Sequence, residues 1–145
     1  MKDQNMELFQ LCYISTIDLK DLRFIARFKR AMQRSRQFFY EKNIHGITYY
    51  ANEHFLHCIE GDKQDIDLIY QHILSHSDQN YRFCFLHQIQ NFNFHMWQMK
   101  YVDKKGLVQL YCHKNGLEQF VPMNLTDTQI KELLCLICSE NMMYA

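Results

Sequence analysis

An α+β fold, with a sheet carrying two helices on one face and a helical tail on the other, is the fold class this chain predicts. Extended runs rich in aromatic and branched residues alternate with segments whose apolar residues recur at helical spacing. Their order is strand, helix, strand, strand, helix, strand, strand, helical tail, the pattern of a sheet with helices gathered on one side. The 145 residues include one proline and four glycines, little punctuation for splitting the chain into several independent units.

The first strand is "LFQLCYIST", in which the two-residue period sets Tyr13 on the side of Leu11 and Ser15. Asp18 is expected to cap the long helix that follows, "LKDLRFIARFKRAMQRSRQFF", with Leu22, Ile25, Ala26 and Met32 as its apolar stripe. "IHGITYY" and "HFLHCIEG", separated by "ANE", form a hairpin. In "DKQDIDLIYQHILSH", Ile66, Ile69, Tyr70, Ile73 and Leu74 stand at helical spacing behind acids in the first turn. "YRFCFLHQI" and "MWQMKYV" are further strands, "GLVQLYCHKNG" is ambiguous with a short helix as one reading, and "TDTQIKELLCLICSE" is a helix capped by Thr126 or Asp127. The expected partition is a domain over 1–102 and a helical extension over 103–145 that packs on the sheet.

Composition narrows the function. Lys plus Arg equals Asp plus Glu at 16 each, so no bulk charge favours nucleic acid or membrane. The cationic face of the first helix, with Arg23, Arg27, Lys29, Arg30, Arg34 and Arg36, reads as solvated rather than as a nucleic-acid footprint. No run approaches the roughly 18 apolar residues of a spanning helix and the N-terminus has no apolar signal core, so a cytoplasmic protein is expected. The six cysteines sit mostly in apolar runs and read as free core thiols. That includes Cys135 and Cys138, whose C-x-x-C lies in a helical pattern, so no metal site is expected.

One polar residue interrupts the strand "FLHCIEGD", which otherwise reads as apolar up to its glycine turn: His57. As a catalytic base it lacks a neighbour, because Cys58 points to the other strand face. No Ser-His-Asp order, phosphate loop or zinc-protease motif accompanies it, and the chain is expected not to be an enzyme.

The motifs resemble those of the BLUF family, small flavin-binding receptors of blue light, over roughly Leu8 to Val102. The family's first strand ends in a tyrosine, matched by Tyr13 in "LCYIS". Its hairpin, approximately G-I-T-G-x-L-x-Y, four variable residues, then F-L-Q-x-L-E-G, is matched without a gap by "NIHGITYYANEHFLHCIEG", setting Gly46, Tyr50, Phe55, Leu56, Glu60 and Gly61 on family positions. "LIYQHIL" resembles the L-Y-x-R-I of the second helix, and "NFHMWQM" the late N-F-x-x-W-S-M. The resemblance implies a ferredoxin-like BLUF sheet, βαββαββ, and a pocket contacted by Tyr13, Phe38, Phe39, Phe55 and His57. It also implies signalling through Trp97 and Met99.

Departures from the family fall on the pocket. Phe38 and Phe39 replace an asparagine pair that hydrogen-bonds the flavin's polar edge. His57 replaces the glutamine whose amide rearranges after light absorption. His76, Asp78 and Gln79 stand where the family has Asp-x-Arg-His, Asn43 replaces a glycine and His45 a threonine. Phenylalanine has no donor or acceptor, and each buried polar group left without a partner costs about 1–3 kcal/mol. The expectation is therefore a regulatory module that holds no cofactor and acts on a regulatory protein partner or as a homo-oligomer. The alternative is an FAD photoreceptor with a different contact set.

Overall fold

The structure, a computed structural model, describes residues 6–18, 20, 22–75 and 80–143, without the side chains of residues 22–25, 28 and 141–143. Its elements are β1 (Leu8–Thr16), α1 (Leu22–Glu41), β2 (His45–Ala51), β3 (His54–Asp62), α2 (Lys63–Leu74), β4 (Tyr81–Ile89), β5 (Gln98–Tyr101), α3 (Leu107–Lys114) and α4 (Asp127–Met143). They build one five-stranded sheet in the order β4-β1-β3-β2-β5. β1 pairs antiparallel with β3 and β4, β2 pairs antiparallel with β3, and β5 lies parallel to β2. This is the expected α+β, ferredoxin-like sheet with one strand added.

Alternation along the strands divides the interior into two cores. Leu11, Tyr13 and Ile59 face α2, where Ile66, Ile69 and Ile73 meet them together with Phe39 from the end of α1. Cys12, Ile14, Leu56 and Cys58 face the opposite way, against Val108, Tyr111 and Cys112 of α3 and Ile130, Leu133, Leu134 and Ile137 of α4. The ambiguous segment after β5 is thus a helix because three of its side chains are buried on that second face.

Local chemistry accounts for the junctions. Asn52 and Glu53 both take positive φ, 52° and 60°, which gives the two-residue hairpin turn whose twist matches the strands. Asn43 (φ 56°) ends α1: Ile44 N–H donates to Phe39 C=O at 2.8 Å and Asn43 N–H to Tyr40 C=O at 3.3 Å, a Schellman closure with asparagine in the place favoured by glycine. At Gly46 (φ 140°) a Cβ would lie 2.1 Å from the Cys58 carbonyl oxygen, so only glycine lets β2 approach β3 there. Thr126 caps α4 reciprocally, its Oγ1 accepting from Gln129 N–H at 3.1 Å while its own N–H donates to Gln129 Oε1 at 2.8 Å.

One expectation changes, and two depend on residues outside the described ones. Asp18 Oδ1 accepts from Lys20 N–H at 2.9 Å ahead of α1, and residues 19 and 21, on which its expected role as cap depends, lie outside the described residues. β5 is shorter than "MWQMKYV", because Met96 forms only an isolated bridge with His45 and the Trp97 N–H donates to Ile44 C=O across a bend. His76, Asp78 and Gln79 lie outside the described residues.

Candidate functional site

Register brings the sequence-predicted residues together on the α1/α2 face. Tyr13 of β1 stands opposite His57 of β3, and Thr48 of β2 stands opposite His57 on its other side. The Tyr13 and His57 rings stack at 4.3 Å and 17°, and His57 stacks in turn on Phe55 at 5.6 Å and 12°. Tyr81 and Phe83 extend this aromatic floor along β4 at 6.3 and 6.0 Å from Tyr13. At the far rim, Phe39 packs edge-on against Trp97 at 5.1 Å, and Phe38 packs on Phe39 at 6.1 Å. Met99, half-buried on β5, stands beside Thr48 in register.

Both nitrogens of His57 are engaged. Nδ1 lies 3.0 Å from Thr48 Oγ1 and Nε2 lies 3.0 Å from Ser15 Oγ. Trp97 Nε1–H donates to the same Thr48 oxygen at 3.0 Å. Thr48, with one proton to give, satisfies both neighbours by accepting from Trp97 and donating to His57 Nδ1. The imidazole proton is then assigned to Nε2, directed at Ser15. Burial lowers the His57 pKa from 6.5 to about 3, and no charged neighbour opposes it, so the ring is neutral at physiological pH. His57 as a whole residue is half-buried.

Tyr13 differs. Burial, with Tyr81 nearby, raises its pKa well above 10, so it keeps its proton, and among the described residues nothing hydrogen-bonds its hydroxyl. Among the described side chains of α1, only Phe39 is buried, with Met32, Ser35 and Phe38 half-buried. Among the described side chains of α1, those of its last turn, Phe38 and Phe39, pack on the sheet face that carries Tyr13 and Trp97, the face to which His57 also belongs.

Sequence reasoning missed the hydroxyls that hold His57. Strand parity already sets Ser15 on the Tyr13 side, but only the register of β2 against β3 reveals Thr48. It also missed Glu60, completely buried on the opposite face, where its carboxylate accepts from Gln10 Nε2 (2.7 Å), Asn93 N–H (2.8 Å), Asn93 Nδ2 (2.8 Å) and Phe94 N–H (3.2 Å). Gln10 Oε1 accepts in turn from His87 Nε2 at 2.8 Å. Glu60 thus fixes the loop that leads into Trp97. His45 fixes the same loop, with Nδ1 donating to Phe94 C=O at 2.6 Å and its ring stacked on Phe92 at 3.6 Å. Cys58, as expected, belongs to the other face and is remote from His57 as a nucleophile.

Residues 8–100 match the BLUF family model, described as sensors of blue-light using FAD. The fold is similar to that of BlsA in its photo-activated state (23% identity, 90% of this chain and 94% of that one, TM-score 0.73) and in its ground state (23%, 90% and 87%, TM-score 0.75). It is also similar to BlrB, a BLUF protein in its dark state (24% identity, 90% and 98%, TM-score 0.60). A bacterial light-regulated adenylyl cyclase shares it over 94% of this chain and 36% of that one (22% identity, TM-score 0.54). No curated protein matches. Among the described residues no helix is long and apolar enough to cross a membrane.

The expectation of a chain without cofactor is overturned by the family match, since the matched family uses FAD. That expectation rested on the departures at Phe38, Phe39 and His57. Phe38 packs on Phe39 and Phe39 on Trp97 at one rim, whereas the floor keeps aromatic faces, half-buried at His57, Tyr81 and Phe83, and a Tyr13 hydroxyl with no hydrogen-bond partner among the described residues. Those features fit a flat aromatic ring with a hydrogen-bonding edge. By its family match over most of its length, on a sheet of the same fold, the chain belongs to the BLUF family, sensors of blue light that use FAD.

Proposed function

We propose that this chain is a BLUF-type blue-light sensor that holds FAD through a contact set of its own, switches through His57 rather than through an amide, and reports by protein contact. The observation that carries this reading is the closed state of His57, a neutral ring bonded on both nitrogens and stacked on the family's tyrosine. When bound, the flavin supplies the absorption of blue light and an electron-accepting centre.

Every other element of the reading concerns the protein's own groups. Tyr13 offers its free hydroxyl to the site, Phe55 backs the floor, and Phe38 and Phe39 close the rim where polar partners stand in the family. A glutamine responds by rearranging its amide, whereas an imidazole held at both ends responds by moving its proton from Nε2 to Nδ1. Ser15 would then donate to Nε2, and Thr48 Oγ1 would accept from both His57 and Trp97. The Thr48 proton loses its acceptor in that state, so the hydroxyl that also holds Trp97 reorients. Trp97 and its β5 neighbour Met99 carry the change to the strand beside the segment from residue 103 onward, whose helices form the output surface for a regulatory protein or a second copy.

Absorption spectra of the freshly purified protein, before and after incubation with FAD and in darkness and blue light, test the reading. A flavin spectrum with a light-induced change that His57→Leu abolishes is expected. A protein that stays colourless after incubation, or a light response indifferent to His57→Leu, refutes it. Replacing the helix from Thr126 to Glu140 is expected to remove partner capture while leaving the spectrum intact; unchanged capture contradicts the output role.

A further inference from the structure

A row of thiols crosses the sheet on the face turned away from His57. Cys12 on β1 stands directly opposite Cys58 on β3, and the two are completely buried. On the other side of β1, the register with β4 slips between Cys12 and Tyr13: Cys12 pairs with Phe85 while Tyr13 pairs with Phe83. Cys84 is the extra residue of this bulge, and with Phe85 it packs onto the core that contains Cys12. The bulge therefore sets Cys84 beside Cys12 on one face of adjacent strands. Cys84 lies on an edge strand of the sheet and is only half-buried, unlike the completely buried Cys12.

The two thiols are unlike. Burial, with the neighbouring Cys84 thiol, raises the Cys12 pKa well above 9, while the Cys84 Sγ itself donates to the Arg82 carbonyl oxygen at 4.0 Å. The neighbouring Cys12 thiol lowers the Cys84 pKa, and the Arg82 guanidinium adds to the lowering, against the opposing effects of burial and Asp127. One member is a half-buried thiol biased toward thiolate and the other a buried, protonated neighbour, the asymmetry of an attacking and a resolving cysteine.

We propose that Cys84 and Cys12 form a peroxide-oxidised dithiol that closes reversibly into a disulfide joining β4 to β1. The Cys84 thiolate attacks a hydroperoxide oxygen, forming an S–O bond as the O–O bond breaks and hydroxide leaves. Cys12 sulfur then attacks the Cys84 sulfur, forming the S–S bond as the S–O bond breaks, and the second hydroxide departs as water with the Cys12 proton. Two thiols are oxidised by two electrons in total, and one hydrogen peroxide is reduced to two waters. The residue after Cys12 is Tyr13, so this staple would lock the bulge that borders the site.

The test treats the full chain carrying Cys135→Ser, which removes the exposed thiol of α4, with hydrogen peroxide, then alkylates in denaturant and maps peptides by mass spectrometry without reduction. A Cys12–Cys84 linked peptide that disappears on reduction is expected as the dominant product. In Cys12→Ser the link is lost and Cys84 is trapped by dimedone as its sulfenic acid; Cys84→Ser gives neither product. A dominant Cys12–Cys58 or Cys58–Cys138 link, or intact thiols at positions 12 and 84 under conditions that oxidise other cysteines, overturns the proposal. Mapping on the parent chain decides the matter even where a serine variant folds poorly.

Discussion

Replacing His57 with glutamine isolates the cost of keeping an imidazole neutral inside the fold. The group titrates near 6.5 when unfolded and near 3 when folded. Below pH 6.5 the unfolded chain binds a proton that the folded chain refuses, so the stability that His57 contributes is present above pH 6.5 and is lost as pH falls toward 3. The slope approaches 1.36 kcal/mol per pH unit, so lowering the pH from 7 to 5 removes about 2 kcal/mol on account of this residue. The partial exposure of the residue trims that figure without reversing its sign. Urea denaturation of the parent protein and of His57→Gln at both pH values gives the result as a double difference, in which the other titrating groups cancel. The parent should lose about 2 kcal/mol more than the variant over this interval. Equal losses in the two proteins would mean that His57 protonates in the folded state, and the neutral, doubly bonded ring would be wrong.

Other consequences follow from the same contacts. Glu60→Ala strands four donors in the sheet and the loop before Trp97 and should cost about 3–5 kcal/mol in chemical denaturation; a loss below about 1 kcal/mol would contradict the buried network. Thr48→Val removes partners from both His57 and Trp97, whereas Ser15→Ala removes one from His57 alone, so thermal unfolding should rank Thr48→Val as the more damaging, by roughly 1 kcal/mol or more. Glu53→Gly relieves a left-handed residue in the hairpin turn and should stabilise by about 0.5–1 kcal/mol, with a raised unfolding midpoint as the readout. A lowered midpoint would show that the Glu53 side chain contributes more than its backbone strain costs.

Much of this arrangement is written in periodicity. β1 and β4 occupy the stretches that a period of two marks out, and α2 lies where Ile66, Ile69 and Ile73 recur at helical spacing, because each element buries one clear face. The junctions were less legible. Asp18 has the chemistry of a cap, and its carboxylate holds the Lys20 N–H ahead of α1, but residues 19 and 21 at that junction lie outside the described residues. The site was half legible. Strand parity sets Tyr13 and His57 on their faces, yet facing says nothing of register, and register alone brings Thr48 to His57 and Gln10 to Glu60. The cofactor expectation failed for a related reason. It judged the pocket one substitution at a time, at Phe38, Phe39 and His57, while the aromatic floor is assembled from three strands far apart in sequence.

The sheet's alternation also makes two projects out of one strand. Along β1, Leu11 and Tyr13 belong to the face of the site and Cys12 and Ile14 to the helices of the tail; along β2, Thr48 looks one way and Ile47 and Tyr49 the other. Odd and even positions can therefore drift, or be randomised in a library, as separate sets. A protein engineer could graft a new output helix onto one face by rewriting Cys12, Ile14, Ile47, Tyr49, Leu56 and Cys58 while every residue that touches His57 keeps its identity.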